Sequence, residues 1–125
     1  MIGYITVGTD DLIRSAKFYD ALFEIIDAKR TMEGDDFIAW GNSPECTMYS
    51  IHLPADGRPA SVGNGNMNAL RAKNVEQVKE LYHKALELGG SDEGKPGFRA
   101  EGFYAAYFRD VDGNKLNAFC MVEPG

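Results

Sequence analysis

Few side chains of this 125-residue sequence could do chemistry, and their spacing narrows what that chemistry is. His52 ends an apolar run and could serve as an acid or base, since imidazole titrates near neutrality. No partner acid or nucleophile stands at a recognisable spacing from it, and neither a Ser-His-Asp nor a Cys-His pattern occurs. His83 falls on the polar side of a helical pattern, where a solvated role is expected. Asp110-Val111-Asp112-Gly113-Asn114 has the composition of a calcium loop, but an EF-hand needs glycine sixth and glutamate twelfth. Lys115 and Met121 hold those places. The flanks are strand-like, so Asp112-Gly113 instead predicts a tight hairpin turn with φ > 0 at both residues. Gly63-Asn64-Gly65 is no phosphate loop, because no strand-to-helix junction follows it. Cys46 and Cys120 are too few for a disulfide framework or a zinc site.

Composition bounds the rest. The chain is 44% hydrophobic and 26% charged, which fits a folded globular domain long enough to bury a core. A formal charge of −6 argues against nucleic acid and anionic membrane as partners. It favours neutral or cationic small ligands. No apolar run reaches the ~20 residues of a membrane span, and no signal-peptide pattern opens the chain. The expected location is the cytoplasm, with both thiols reduced.

The elements that must position these residues follow from periodicity. Ile2–Val7 reads as a strand. Thr9 or Asp10 is placed to cap a helix whose buried stripe is Leu12, Ala16, Tyr19, Phe23 and Ile26. Phe37–Trp40 and Cys46–Leu53 read as strands around the turn-rich Gly41-Asn42-Ser43-Pro44. Pro54–Gly65 reads as a linker. Met67–Ala72 is a further strand, and Asn74 caps a second helix with Gln77 in a capping-box position. Val75, Val78, Tyr82 and Ala85 form its stripe, and Gly89-Gly90 stops it. Ser91–Gly102 is polar and reads as a connector. Tyr107–Phe119 closes the chain as a hairpin.

A weak internal repeat links the halves. A shift of 63 positions puts Leu12 on Val75, Phe18 on Leu81, Tyr19 on Tyr82 and Glu24 on Glu87. The predicted class is α+β, with two βαβββ modules over 1–58 and 62–125. With Tyr4-Ile5-Thr6-Val7-Gly8-Thr9-Asp10-Asp11-Leu12, Phe18-Tyr19, Gly63-Asn64-Gly65 and the Phe103–Met121 segment, the chain resembles the vicinal-oxygen-chelate superfamily. That group holds the glyoxalases, extradiol dioxygenases and bleomycin-resistance proteins.

The resemblance implies two modules curled around a shared cleft, and a homodimer. It also implies metal ligands at the positions held here by Tyr4, Met67 and Asn117, where His, His and Glu would stand. A phenol, a thioether and a neutral amide are poor ligands for a first-row divalent metal, so no metal and no cofactor are expected. Strand alternation from the same positions puts Tyr4, Thr6, Met67, Asn117 and Phe119 toward the cleft. Tyr107 joins them because relatives place a ligand-contacting tyrosine there, and Trp40 and Met48 are expected as wall residues. The leading expectation is a metal-free small-molecule-binding protein. The alternatives are a lyase, dioxygenase or thiol transferase with an atypical site, in which His52 would act, and an accessory dimer without a ligand.

Overall fold

A computed structural model describes residues 1–123; positions 124 and 125, the end of the predicted second module, lie outside the described residues. The chain forms two compact units, Met1–Gly63 and Asn64–Gly125.

The first unit holds β1 (Tyr4–Gly8), α1 (Leu12–Glu24), β2 (Lys29–Glu33), β3 (Phe37–Gly41) and β4 (Met48–His52). Its sheet runs β1-β4-β3-β2, with β1 parallel to β4 and the other pairs antiparallel. Asp11, rather than Thr9 or Asp10, caps α1, accepting from the Arg14 backbone N–H at 3.1 Å. The two expected caps are otherwise engaged. The Thr9 hydroxyl bonds the Asp11 backbone, and Asp10 Oδ1 accepts from the Ala60 N–H at 2.7 Å, tying the linker to the strand end. The buried face of α1 is Ser15, Ala16, Phe18, Tyr19, Leu22 and Phe23. Tyr19, Phe23, Trp40 and Tyr49 pack ring against ring, with the Tyr19 and Tyr49 hydroxyls 2.8 Å apart. Each buried hydroxyl thus satisfies the other inside an aromatic core.

The second unit repeats the topology with β5 (Asn68–Arg71), α2 (Val75–Glu87), β6 (Ser91–Ala100), β7 (Phe103–Arg109) and β8 (Lys115–Met121) in the order β5-β8-β7-β6. Again the first strand is parallel to the last. The two helices begin and end 63 positions apart, as the repeat requires. Asn74 caps α2 by accepting from the Gln77 N–H at 2.8 Å, and Gln77 reaches back to the Lys73 N–H at 2.9 Å. Val78, Leu81, Tyr82 and Ala85 are buried, as are the alternate sheet residues Tyr104, Ala106, Phe108, Leu116, Ala118 and Cys120. Both cysteines are free thiols.

Two strands differ from expectation. Lys29–Glu33, which sequence reading passed over, is an exposed edge strand, and the predicted connector after Gly90 is the ten-residue edge strand β6. The closing turn also differs. Only Gly113 has positive φ, at 93°, and Asp112 does not. The Asp110 carboxylate accepts from the Asp112 and Asn114 N–H groups at 2.8 and 2.9 Å, and Gly113 N–H donates to Asp110 O at 3.1 Å. This is the three-residue hairpin loop with one left-handed glycine, not the two-residue one. The aspartate that began the apparent calcium loop spends its oxygens on the turn itself. Among the described residues, no three His, Cys, Asp or Glu side chains group as a metal site, and no helix is long and apolar enough to cross a membrane.

Candidate functional site

Strand alternation divides each sheet into a helix-facing side and an open side. In the first unit the open side carries a cavity of about 380 Å³. Tyr4 and Thr6 of β1, Met48, Ser50 and His52 of β4, Phe37 and Ala39 of β3 and Met32 of β2 line it. The register makes this set regular: Tyr4 lies beside Met48, Thr6 beside Ser50, Ala39 beside Ser50 and Phe37 beside His52. The Ser50 hydroxyl is spent on the Ile5 carbonyl at 2.8 Å. Thr31 donates to the Met48 sulfur at 3.1 Å, holding that thioether at the wall. A second hollow of about 460 Å³ shares Thr6 and His52 and is walled by Pro54, Asp56, Pro59 and Ala60 of the linker.

His52 stands where the two hollows meet. Its ring stacks on Phe37 with centroids 6.0 Å apart and planes 15° apart. Nδ1 faces the Leu53 carbonyl, and Nε2 lies 3.8 Å from the Asp36 carboxylate. His83 is an exposed helix residue, as expected.

Trp40 corrects the expectation of a wall residue. It is 1% exposed and lies among Tyr19 and Phe23 on the helix side of β3, with Nε1 donating to Asp20 Oδ1 at 2.9 Å. Its parity in the strand is that of Ile38, not of Phe37 and Ala39. Met32 and Phe37 take the places sequence reading gave to Trp40; Met32 was invisible because its strand was. The Asp20 carboxyl beside Trp40 is held below its usual range by its hydrogen bonds from Arg30, with the Trp40 bond adding to them. The same carboxylate, with Glu33, raises the Arg30 guanidinium further.

In the second unit the open side of β8 carries Lys115, Asn117 and Phe119. Asn117 pairs with Ala69 on one side and Tyr107 on the other. Asn117 is 2% exposed; its Nδ2 lies 3.8 Å from the Met67 sulfur, and its Oδ1 has no hydrogen-bond partner among the described residues. Met67, Tyr107, Asn117 and Phe119 therefore share one sheet face, as Tyr4, Thr6 and Met48 share another.

These residues do not fit the family metal. Tyr4 offers a phenol, Met67 a thioether and Asn117 an amide, whereas divalent first-row ions select carboxylate, imidazole and thiolate. Asn117 Nδ2 already faces the Met67 sulfur. A metal-ligand pair would instead turn its electron-rich atoms toward one ion.

Comparison with known proteins agrees with the fold. The model of the Glyoxalase/Bleomycin resistance protein/Dioxygenase superfamily matches residues 1–118. The crystal structure of a glyoxalase/bleomycin resistance protein from Albidiferax ferrireducens T118 is 34% identical, with a TM-score of 0.89 and 99% of each chain covered. A lactoylglutathione lyase from Agrobacterium tumefaciens is 19% identical with a TM-score of 0.69, covering 96% of this chain and 92% of its own. A glyoxalase/bleomycin resistance protein/dioxygenase family enzyme from Burkholderia phytofirmans PsJN is 15% identical with a TM-score of 0.78, covering 96% and 98%. No protein of curated function matches the chain. A sequence match over nearly the full length, with the same two-module fold beneath it, makes this chain a member of the glyoxalase/bleomycin resistance protein/dioxygenase superfamily.

Proposed function

We propose that this chain is a small-molecule-binding member of the superfamily that works without the family metal, as a homodimer. The observation that carries the reading is the 380 Å³ hollow on the open face of the first sheet. Its size suits a small organic ligand, and its apolar and aromatic walls with a few polar groups match the usual make-up of such sites. Tyr4, Thr6 and Met48 supply contacts there, with Met67, Tyr107, Asn117 and Phe119 offering a second set on the other sheet. The two free thiols suit a reducing compartment, the cytoplasm. Metal analysis of the purified protein, beside a thermal-shift screen of small organic compounds, tests the reading. Metal well below one equivalent and stabilisation by at least one compound are expected, since a ligand that binds only the native state must stabilise it. Stoichiometric nickel, zinc, manganese or iron would sink the metal-free assignment.

One observation favours a second reading. His52 borders the hollow with Asp36 3.8 Å from its Nε2, a pairing suited to an acid–base role in a lyase, dioxygenase or thiol transferase. Turnover of a methylglyoxal–glutathione adduct or a catechol on metal addition would support it, and loss of that turnover in His52→Ala would locate it.

A further inference from the structure

We infer that the open face of the second module's sheet binds an organic anion: a carboxylate on a small ring that also carries a hydrogen-bond donor. The inference rests on the reading of this chain as a small-molecule binder and assigns a charge to a ligand that uses the second set of contacts, Met67, Tyr107, Asn117 and Phe119. Net charge alone pointed the other way, since −6 favours cations. The local pattern on this face reverses the preference.

Three cations gather there. The Arg71 guanidinium lies 5.1 Å over the Phe119 ring, and Arg99 and Lys115 lie 5.2 and 5.7 Å from the centre of the Tyr107 ring. None of the three forms an ion pair with a carboxylate among the described residues. A fourth cation, Arg109, is the contrast: Glu93 takes its Nε at 2.6 Å and the Gly113 carbonyl takes Nη1 at 2.8 Å. Arg109 is therefore neutralised, while Arg71 and Arg99 are held by rings that leave their charge uncompensated, and Lys115 is shared between the Tyr107 ring and the more distant field of Glu93.

The strand beside Tyr107 is shaped to admit Arg99. A β-carbon at Gly94 would stand 3.2 Å from Arg99 Nη2, and one at Gly97 3.0 Å from Nη1. Bare backbone at both places lets the guanidinium lie against β6, where it donates to the Lys95 carbonyl. A head group seated this way loses little further freedom on meeting a carboxylate, and guanidinium geometry suits a bidentate contact.

Asn117 supplies the second, independent pointer. Its buried Oδ1 has no partner among the described residues, a state that is costly in a folded protein. It pairs with Tyr107 on one side and Ala69 on the other, on the face that also carries the Tyr107 and Phe119 rings over which the cations lie. An acceptor there calls for a ligand O–H or N–H. Met67, whose sulfur faces Asn117 Nδ2 at 3.8 Å, is 43% exposed and unbranched, so it can swing aside. Cations for a carboxylate and an acceptor for a ring hydroxyl or amine together define the ligand class.

Calorimetric titration of the full-length protein with 4-hydroxybenzoate, 4-hydroxybenzamide and 4-hydroxybenzylamine separates the possibilities, because the three differ chiefly in charge. The acid should bind at least about tenfold more tightly than the amide, and the amine most weakly, with the acid's affinity falling as salt rises. The double variant R99Q/K115Q should lose about tenfold for the acid and little for the amide. Arg99 is exposed and Lys115 half-buried, so the variant should fold; a thermal melt checks this. Equal binding of acid and amide, preference for the amine, or acid binding unchanged in R99Q/K115Q would overturn the anion assignment while leaving a small-molecule binder in place. Silence from all three overturns it as well. The broader reading falls only if the wide thermal-shift screen is also silent.

Discussion

Asn117 sits where stability and binding pull apart. A buried acceptor without a partner is a cost to the folded state, and an apolar residue of similar size removes that cost together with the group. Asn117→Leu should therefore leave the urea midpoint unchanged or raise stability by up to about 1 kcal/mol, while weakening any ligand that uses the amide. A loss of more than about 1 kcal/mol would mean that Oδ1 is satisfied in solution. Asp20 shows the opposite case, a polar group whose partners are present. Its hydrogen bonds from Arg30, and then from Trp40, hold its carboxyl below the usual range against the opposing effect of burial. A depressed folded-state pKa contributes stability above the unfolded value, near 3.9, and loses it as pH falls through the folded value. Asp20→Asn should thus be less stable than the parent at pH 7, with the gap closing from about pH 5 downward. Urea unfolding at several pH values measures the gap, and one constant across that window would contradict the role given to Asp20. Because Asp20 and Arg30 are both more than a third exposed, solvent keeps the effect modest.

At the scale of elements, what could be read in advance was what had a strong local period. Both helices carry apolar residues at three- and four-residue spacing, and both fall at the positions the 63-residue repeat required. The missed strands lack such a signal for a physical reason. Lys29–Glu33 is exposed at every position, so nothing forced it to alternate. β6 contains Gly94, Pro96 and Gly97, which read as loop residues, and it is accommodated only through repeated register shifts along an edge. The residue type of Trp40 suits a ligand wall as well as a core, and only the parity of β3 decides between them. The hairpin of β6 and β7 gives a sharp test of the strand that sequence reading passed over. Gly102 turns that hairpin with φ of 76°, and a β-carbon there would stand 3.0 Å from the Val122 carbonyl oxygen. Gly57 has a similar φ of 73° but open space around it. Gly57→Ala should cost about 1 kcal/mol of left-handed strain. Gly102→Ala should cost clearly more, because the obstacle is backbone hydrogen-bonded to the same turn through Val122 N–H and Gly102 O at 2.7 Å. Equal costs in urea unfolding would mean that the β6–β7 turn is looser than described.

For the whole molecule, the distribution of exposed apolar groups bears on the proposed dimer. Tyr4, Met32, Met67, Phe98 and Met121 are all large, apolar and exposed in the single chain. Scattered apolar residues on a surface need no explanation, but these lie on or at the ends of sheet strands, and Met32 and Tyr4 border the candidate cavity. Burying one such side chain is worth about 1.5–3 kcal/mol, and several together are of the order needed to offset the ~4–15 kcal/mol lost on association. Edge strands β2 and β6 show how other self-pairing is discouraged: the first is exposed and charged, the second bulged and proline-bearing. Pairing along β2 and β6 is thus disfavoured, which leaves the sheet faces and the edges at β1 and β5 as the routes to self-association. Light scattering at micromolar concentration should give a mass near twice 13.8 kDa, and the melting temperature should rise with protein concentration, because dissociation accompanies unfolding. A monomer mass with a concentration-independent melt would leave these side chains exposed in solution and would remove the homodimer from the proposed function.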